Sequence, residues 1–348
     1  YTVGFNAELK WLLNNWFNRR YIRKNNVAFH FKYAYKLEDF KYGDISLWDI
    51  YKINSVSFLF EDRYNFSLES KLNQIDLSYW DTSNIISMKG MFKNCKCDIL
   101  GLNKWNVSKV IDMSEMFYGC NRFNKPLDNW DVSNVRYMSN MFSGCSSFNQ
   151  NIEKWNVSKV IDMSQMFNGC SRFDQPLNNW NVCNVSNMFK MFSGCKNFNY
   201  PLNNWNMENV SCVELMFNQC ISFNSSLSGW KLLSLVNNNY MFYGCIKFNQ
   251  DISDWDISHL SSLEGTFYMC SEFNQNIEKW NTKNIKNLSK VFTCCYSFNQ
   301  PLNEWDVSNV RYMKRLFYGC HLFNQPLDKW KVRNNVEIDY IFKFFPKS

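Results

Sequence analysis

The chain has 348 residues, 46% of them hydrophobic and 18% aromatic, and a formal net charge of +7. That apolar content excludes a disordered chain, and the thinly spread positive charge is a mildly basic surface rather than a nucleic-acid stripe, so no nucleic acid is expected as a partner. No apolar run reaches the roughly eighteen residues that a membrane-crossing helix needs, so no membrane span is expected.

In chain order, residues 1–40 read as an N-terminal helical cap. Leu9, Leu12, Leu13, Trp16 and Phe17 fall on one helical face, suited to covering the first coil of a stack. Residues 41–79 read as a divergent first coil with an insertion. Trp48 and Phe60 keep the twelve-residue spacing of the later units, and the run from Phe60 to Trp80 is seven residues longer than the usual gap. Residues 80–342 are regular repeats, and residues 343–348 end the pattern, with Phe345 in the cysteine register and Pro346 after it.

The repeat unit is twenty-five residues long, the step from Trp80 to Trp105 and from Trp105 to Trp130, and its register does not slip. Tryptophan recurs at that step as far as Trp330, phenylalanine follows twelve residues after each, and ten cysteines from Cys95 to Cys320 hold one position. Such a period indicates a solenoid, because one unit cannot bury its apolar face alone and stacked copies can.

Within the unit Trp130–Lys154, the alternation of Trp130 and Val132 predicts a short strand. The three-and-four spacing of Val135, Met138, Met141, Phe142 and Cys145 predicts a short helix or helical turn. Ser133 is a candidate N-cap and Gly144 a left-handed terminator. The expected fold is therefore an α/β repeat solenoid, a leucine-rich-repeat-like stack with one short parallel strand and one short helix or helical turn per coil. Trp130, Trp155, Trp180, Phe142, Phe167, Cys145 and Cys170 are its structural ladder, and Asn149 and its register mates are amides that satisfy loop backbone. The unit Lys231–Tyr240 is the weakest, since Asn238 stands where a core methionine is expected, and a bend or loosened packing is predicted there.

The segments Met141–Met163 and Met116–Met138 closely resemble the repeat of BspA-like leucine-rich-repeat surface proteins, Met-Phe-x-Gly-Cys-x-x-Phe-Asn-Gln-Pro-Leu-x-x-Trp-Asp-Val-Ser-Asn-Val. The resemblance implies a leucine-rich-repeat-like, usually non-enzymatic solenoid of the kind found in bacterial surface lipoproteins, protists and large DNA viruses. Cysteine replaces the small residue usual in the bacterial members. Abundant Asn, Lys, Phe, Tyr and Ile then point to a large DNA virus or protist source.

No catalytic chemistry is expected. His30, His259 and His321 lie in different contexts, and no glycine-rich phosphate loop occurs. No metal or cofactor is expected either: Cys95 with Cys97, and Cys294 with Cys295, lack zinc-knuckle spacing. Of fourteen cysteines, ten read as core packing groups, which favours a reducing cytoplasm or a virion over a secreted surface. The expected function is a structural or protein-protein interaction solenoid, with other proteins, capsid or assembly components among them, as partners; the alternative is a cell-surface adhesin of the same fold. The expected partner-binding side chains are Lys329, Lys331 and Arg333 beside the acidic Glu304 and Asp306, with Asp254 and Asp256 farther along the same outward face.

Overall fold

The computed structural model describes residues 50–62 and 74–342. The expected cap over 1–40, Trp48 and residues 343–348 lie outside the described residues.

Each coil contributes the same inward set, and the sets stack into one continuous core. Trp155, Val157, Val160, Met163, Met166, Phe167, Cys170, Phe173 and Leu177 are all at most 3% exposed. Between coils the rings lie nearly parallel, Phe142 over Phe167 at 5.8 Å and Trp130 over Trp155 at 6.4 Å. Within a coil Phe142 stacks on Phe148 at 4.0 Å. This offset stacking adds to the area that the aromatic side chains remove from water.

Of the short helix or helical turn expected over Val135–Cys145, the helix is not formed and the chain runs in tight turns; no α-helix occurs among the described residues. Backbone donors alternate instead between two destinations. Met138, Asn140, Phe142 and Gly144 donate to carbonyls of the next coil, at Asp162 (3.1 Å), Ser164 (2.8 Å), Met166 (2.9 Å) and Asn168 (2.7 Å). Met141, Ser143 and Cys145 donate three residues back, to Met138, Asn140 and Phe142. An α-helix would send each donor four residues back in its own chain and leave none for the neighbour. Asn140 (φ 57°) and Gly144 (φ 78°) are also left-handed, which a right-handed helix cannot contain. A chain of tight turns returns every third or fourth side chain to the same side, so the helical spacing is real although the helix is not.

The expected strand is displaced as well. Trp130 and Val132 do alternate inward, at 3% and 1% exposure, but single-residue parallel pairing falls farther along the unit, at Tyr137 with Asp162 and Asp162 with Asn187. Around Trp130 the chain runs between two tight turns, and it is joined to the preceding coil through the Trp130 and Asn134 side chains. True strands occur once among the described residues: β1 (Gln74–Asp76) pairs in parallel with β2 (Asp98–Leu100), followed by a 3-10 turn at Leu102–Lys104. The first described coil is joined at Ser55 to Ser87, and the next joint runs from Ser87 to Asp112. The first offset is thus longer by the seven inserted residues, and the insertion leaves the stacking direction unchanged.

Three side-chain ladders bind one coil to the next. The Trp155 indole N–H donates to the Leu127 carbonyl at 3.0 Å, and Trp180 donates to Ile152 at 3.2 Å. The Cys145 and Cys170 thiols donate to the carbonyls of Phe117 and Phe142 at 2.9 and 3.0 Å. The Asn149 Oδ1 accepts from the Asp174 amide and the Gln175 Nε2 at 2.9 and 3.0 Å, and the same pattern runs on through Asn224, Asn249, Asn274 and Asn299. The asparagines are therefore structural, because they satisfy backbone donors that face no carbonyl.

One joint among the described residues is incomplete. No backbone bond joins Asn238 to Ser262 or Ser261 to Val236, although the equivalent bonds form at Val213 with Asn237 and at Lys286 with Ser261. Asn238 is buried, its Oδ1 has no partner, and the Trp255 indole N–H has none either, the break falling where Asn238 replaces the core methionine. Asn238 reaches only the hydroxyl of Thr266, at 3.4 Å. The predicted loosening is thus localised to the seam between two coils. On the other side of that seam a polar bridge compensates: the Tyr240 hydroxyl donates to Glu264 at 2.6 Å and accepts from Lys290 at 3.1 Å.

Candidate partner-binding face

The outward positions around each tryptophan carry short polar side chains, and most are already engaged. Asp131, Asp256 and Asp306 each accept the amide of the serine two residues on, at 3.1, 2.9 and 2.9 Å, and Asn106 does the same for Ser108 at 3.1 Å. These are turns closed by a side-chain oxygen, which explains why Asp and Asn interchange at this position. The hydroxyls and then the amides of Ser133, Ser258 and Ser308 hold the three carboxyls below the usual carboxylate range. Asp254 is exposed beside this row.

At the C-terminal coil the expected cations separate into two groups. Lys329 is ion-paired with Glu304 on the preceding coil, with both side chains about 60% exposed. The Arg333 guanidinium bonds back to the Ser308 carbonyl and, at 2.8 Å, to the Asn309 Oδ1. Lys331 is exposed. Arg333 also lines a cleft of about 290 Å³ together with Arg311, Tyr312, Asn335 and Glu337. Glu337 is committed to Lys314 at 2.6 Å. The structure therefore brings Arg333 together with Arg311, a residue one coil away that the sequence reading did not select, and pairs Lys329 with Glu304 instead. Asp254 and Asp256 lie three coils away from this end. The signal that could have found Arg311 is its register: it is one coil after the exposed Lys286 in an outward column.

A family model described as Mycoplasma protein of unknown function, DUF285, matches the chain in five overlapping stretches, residues 25–150, 63–177, 96–199, 170–270 and 236–347. The chain belongs to this family. The overlapping matches to DUF285 follow from the repeat itself, since a model several coils long fits a periodic chain in more than one register. No curated protein and no solved structure matches the chain. All fourteen cysteines of this DUF285 chain are free thiols, the ladder cysteines buried and Cys97, Cys183, Cys212 and Cys294 half-buried. Among the described residues no helix is long and apolar enough to cross a membrane.

Proposed function

We propose that the chain is a non-enzymatic interaction solenoid whose C-terminal end docks an acidic protein partner. The observation that carries this reading is the cleft lined by Arg311 and Arg333, in which the only carboxylate among the described lining residues is held by Lys314. The planar Arg311 guanidinium presents paired donors that match a carboxylate, and Arg333, fixed by its bonds to Ser308 and Asn309, adds a second positive charge beside it. Lys331 adds a third cation on the same coil.

The finer assignment, a BspA-like solenoid of a large DNA virus or protist that serves as a virion or assembly component, rests on the resemblance of Met141–Met163 and on composition. The buried, unpaired thiol ladder supports a reducing compartment over the adhesin alternative.

The test is charge reversal. Replacing Lys329, Lys331 and Arg333 together with glutamate is expected to weaken binding to a co-purified partner at low salt, with the difference shrinking as salt rises and the circular dichroism spectrum unchanged. Binding that stays the same at low and high salt would remove this end of the rod from consideration.

A further inference from the structure

Nine of the ten ladder thiols share one bond. From Cys120, which donates to the Phe92 carbonyl at 2.9 Å, to Cys320, which donates to Phe292 at 2.7 Å, each is tied to the coil before. Cys95 opens the ladder and is not tied in this way. The seven inserted residues put Phe60 at the equivalent place, stacked on Phe92 at 5.3 Å, and among the described residues Cys95 makes no bond to its carbonyl. The Cys95 thiol donates instead to the Cys97 sulfur, two residues on. The two thiols differ in access, Cys95 being 3% exposed and Cys97 half-buried. Both line a cavity of about 300 Å³ beside β2, together with Lys96, Arg122, Lys125 and Asp98. Asp98 is paired with Lys125 at 2.7 Å, and neither Lys96 nor Arg122 forms an ion pair among the described residues. The surplus charge beside the sulfurs is therefore positive, which favours a thiolate. The bond to Cys97, and then burial, hold the Cys95 thiol well above the ordinary value of 9.0, so Cys95 keeps its proton and Cys97 is the sulfur that meets solvent.

We propose that Cys95 and Cys97 are a modification site, a dithiol that hydrogen peroxide closes to a disulfide within the chain. Cys97, as the thiolate, attacks one peroxide oxygen. The O–O bond breaks, the departing hydroxide takes up a proton to become water, and Cys97 becomes a sulfenic acid. The Cys95 sulfur then attacks the Cys97 sulfur while its own proton passes to the leaving hydroxyl, so the S–S bond forms and a second water departs. Two thiols are oxidised and one peroxide is reduced to two waters. The chain itself sets the reach: residues two apart have Cα atoms at most about 7 Å apart, and a disulfide spans about 4.4–6.8 Å. Cys120, the other thiol on the cavity wall, is held by the Phe92 carbonyl. The site does not depend on the docking reading given above.

The full chain is treated with a small excess of hydrogen peroxide, capped with N-ethylmaleimide and digested with trypsin. Cleavage after Lys96 separates Cys95 from Cys97, so the disulfide is read by mass spectrometry as a joined pair of peptides that dithiothreitol releases. Cys183 and Cys212 are the internal comparison, half-buried thiols with no cysteine two residues away. The joined pair is expected to form about tenfold faster than any oxidised product of either. Cys95→Ser should leave Cys97 as a sulfenic acid that dimedone traps, and Cys97→Ser should leave Cys95 reduced. The joined peptides of the unaltered chain are read whether or not a variant folds. Peroxide that oxidises Cys183 and Cys212 without joining the two peptides, a link from Cys97 to Cys120 in place of Cys95, or Cys97 reacting no faster than Cys183 would each overturn the proposal.

Discussion

Trp180 illustrates how one residue serves two coils. It is 2% exposed and its indole N–H is spent on the Ile152 carbonyl of the coil before. Trp180→Ala therefore opens a cavity and also leaves a buried carbonyl short of a donor, an expected loss of about 3–5 kcal/mol measured by urea unfolding. Unfolding at the parent midpoint would be incompatible with an inward tryptophan ladder. The thiols give a prediction with a definite sign. Burial pushes Cys145, Cys170 and Cys195 well above the ordinary value of 9.0, and Cys120 and Cys320 to about 12. A group whose value is raised on folding stabilises fully below its unfolded value and loses that contribution as pH rises toward its folded value. Stability is accordingly expected to be flat in this respect at neutral pH and to fall above about pH 9, steeply because many thiols act together. Thermal melts across pH 7 to 11 check this, and replacing Cys145 and Cys170 with alanine should shallow the fall. At pH 8, Cys183, Cys212 and Cys294 should alkylate before any ladder cysteine, and mass spectrometry of the labelled peptides reads the order.

At the scale of a coil and its neighbour, the seam at Asn238 shows what a single polar replacement does to a ladder. Asn238 and Thr266 both occupy methionine positions, Asn238 keeps an unpartnered oxygen, and Trp255 loses the indole bond that nine other tryptophans make. Asn238→Met removes the unsatisfied oxygen and restores the side chain of the neighbouring units, with an expected gain of about 1–2 kcal/mol. Hydrogen exchange should slow at Ser261, whose amide lacks its inter-coil carbonyl in the parent. A variant no more stable than the parent, with Ser261 exchanging as before, would place the cause of the break elsewhere in the seam. The position of this break was legible beforehand, because a polar residue in a strictly apolar register is a local conflict. Its form was not: which hydrogen bonds are lost depends on the facing coil, while the Tyr240–Glu264–Lys290 bridge holds the opposite side closed.

The backbone and side-chain ladders join each coil to its immediate neighbours, with Lys290 reaching Tyr240 two coils away, so cooperativity is passed along the stack mainly joint by joint. A weak joint then divides the chain. Urea unfolding followed by hydrogen exchange is expected to show the coils before Asn238 and those after Ser262 losing protection at different denaturant concentrations. Asn238→Met should bring the two together. A single coincident transition in the parent would mean that the remaining bonds at Tyr240, Phe242 and Gly244 are enough to keep the rod in one unit.

The period, the register and the inward set were determined by the sequence alone, since they follow from which side chains recur at a fixed step and from the need of an apolar face to find another. The asparagine ladder and the weak coil were legible for the same reason. What only the tertiary structure decided is where each backbone donor goes. Met138 and Met141 look alike as helix positions, yet one N–H crosses to Asp162 and the other returns to Met138, because the competing acceptor belongs to the next coil of the stack. The same holds for charge. Lys329 and Arg333 are equal as letters, but stacking sets Lys329 beside Glu304 and Arg333 beside Arg311, so one cation is neutralised and the other lines a cleft.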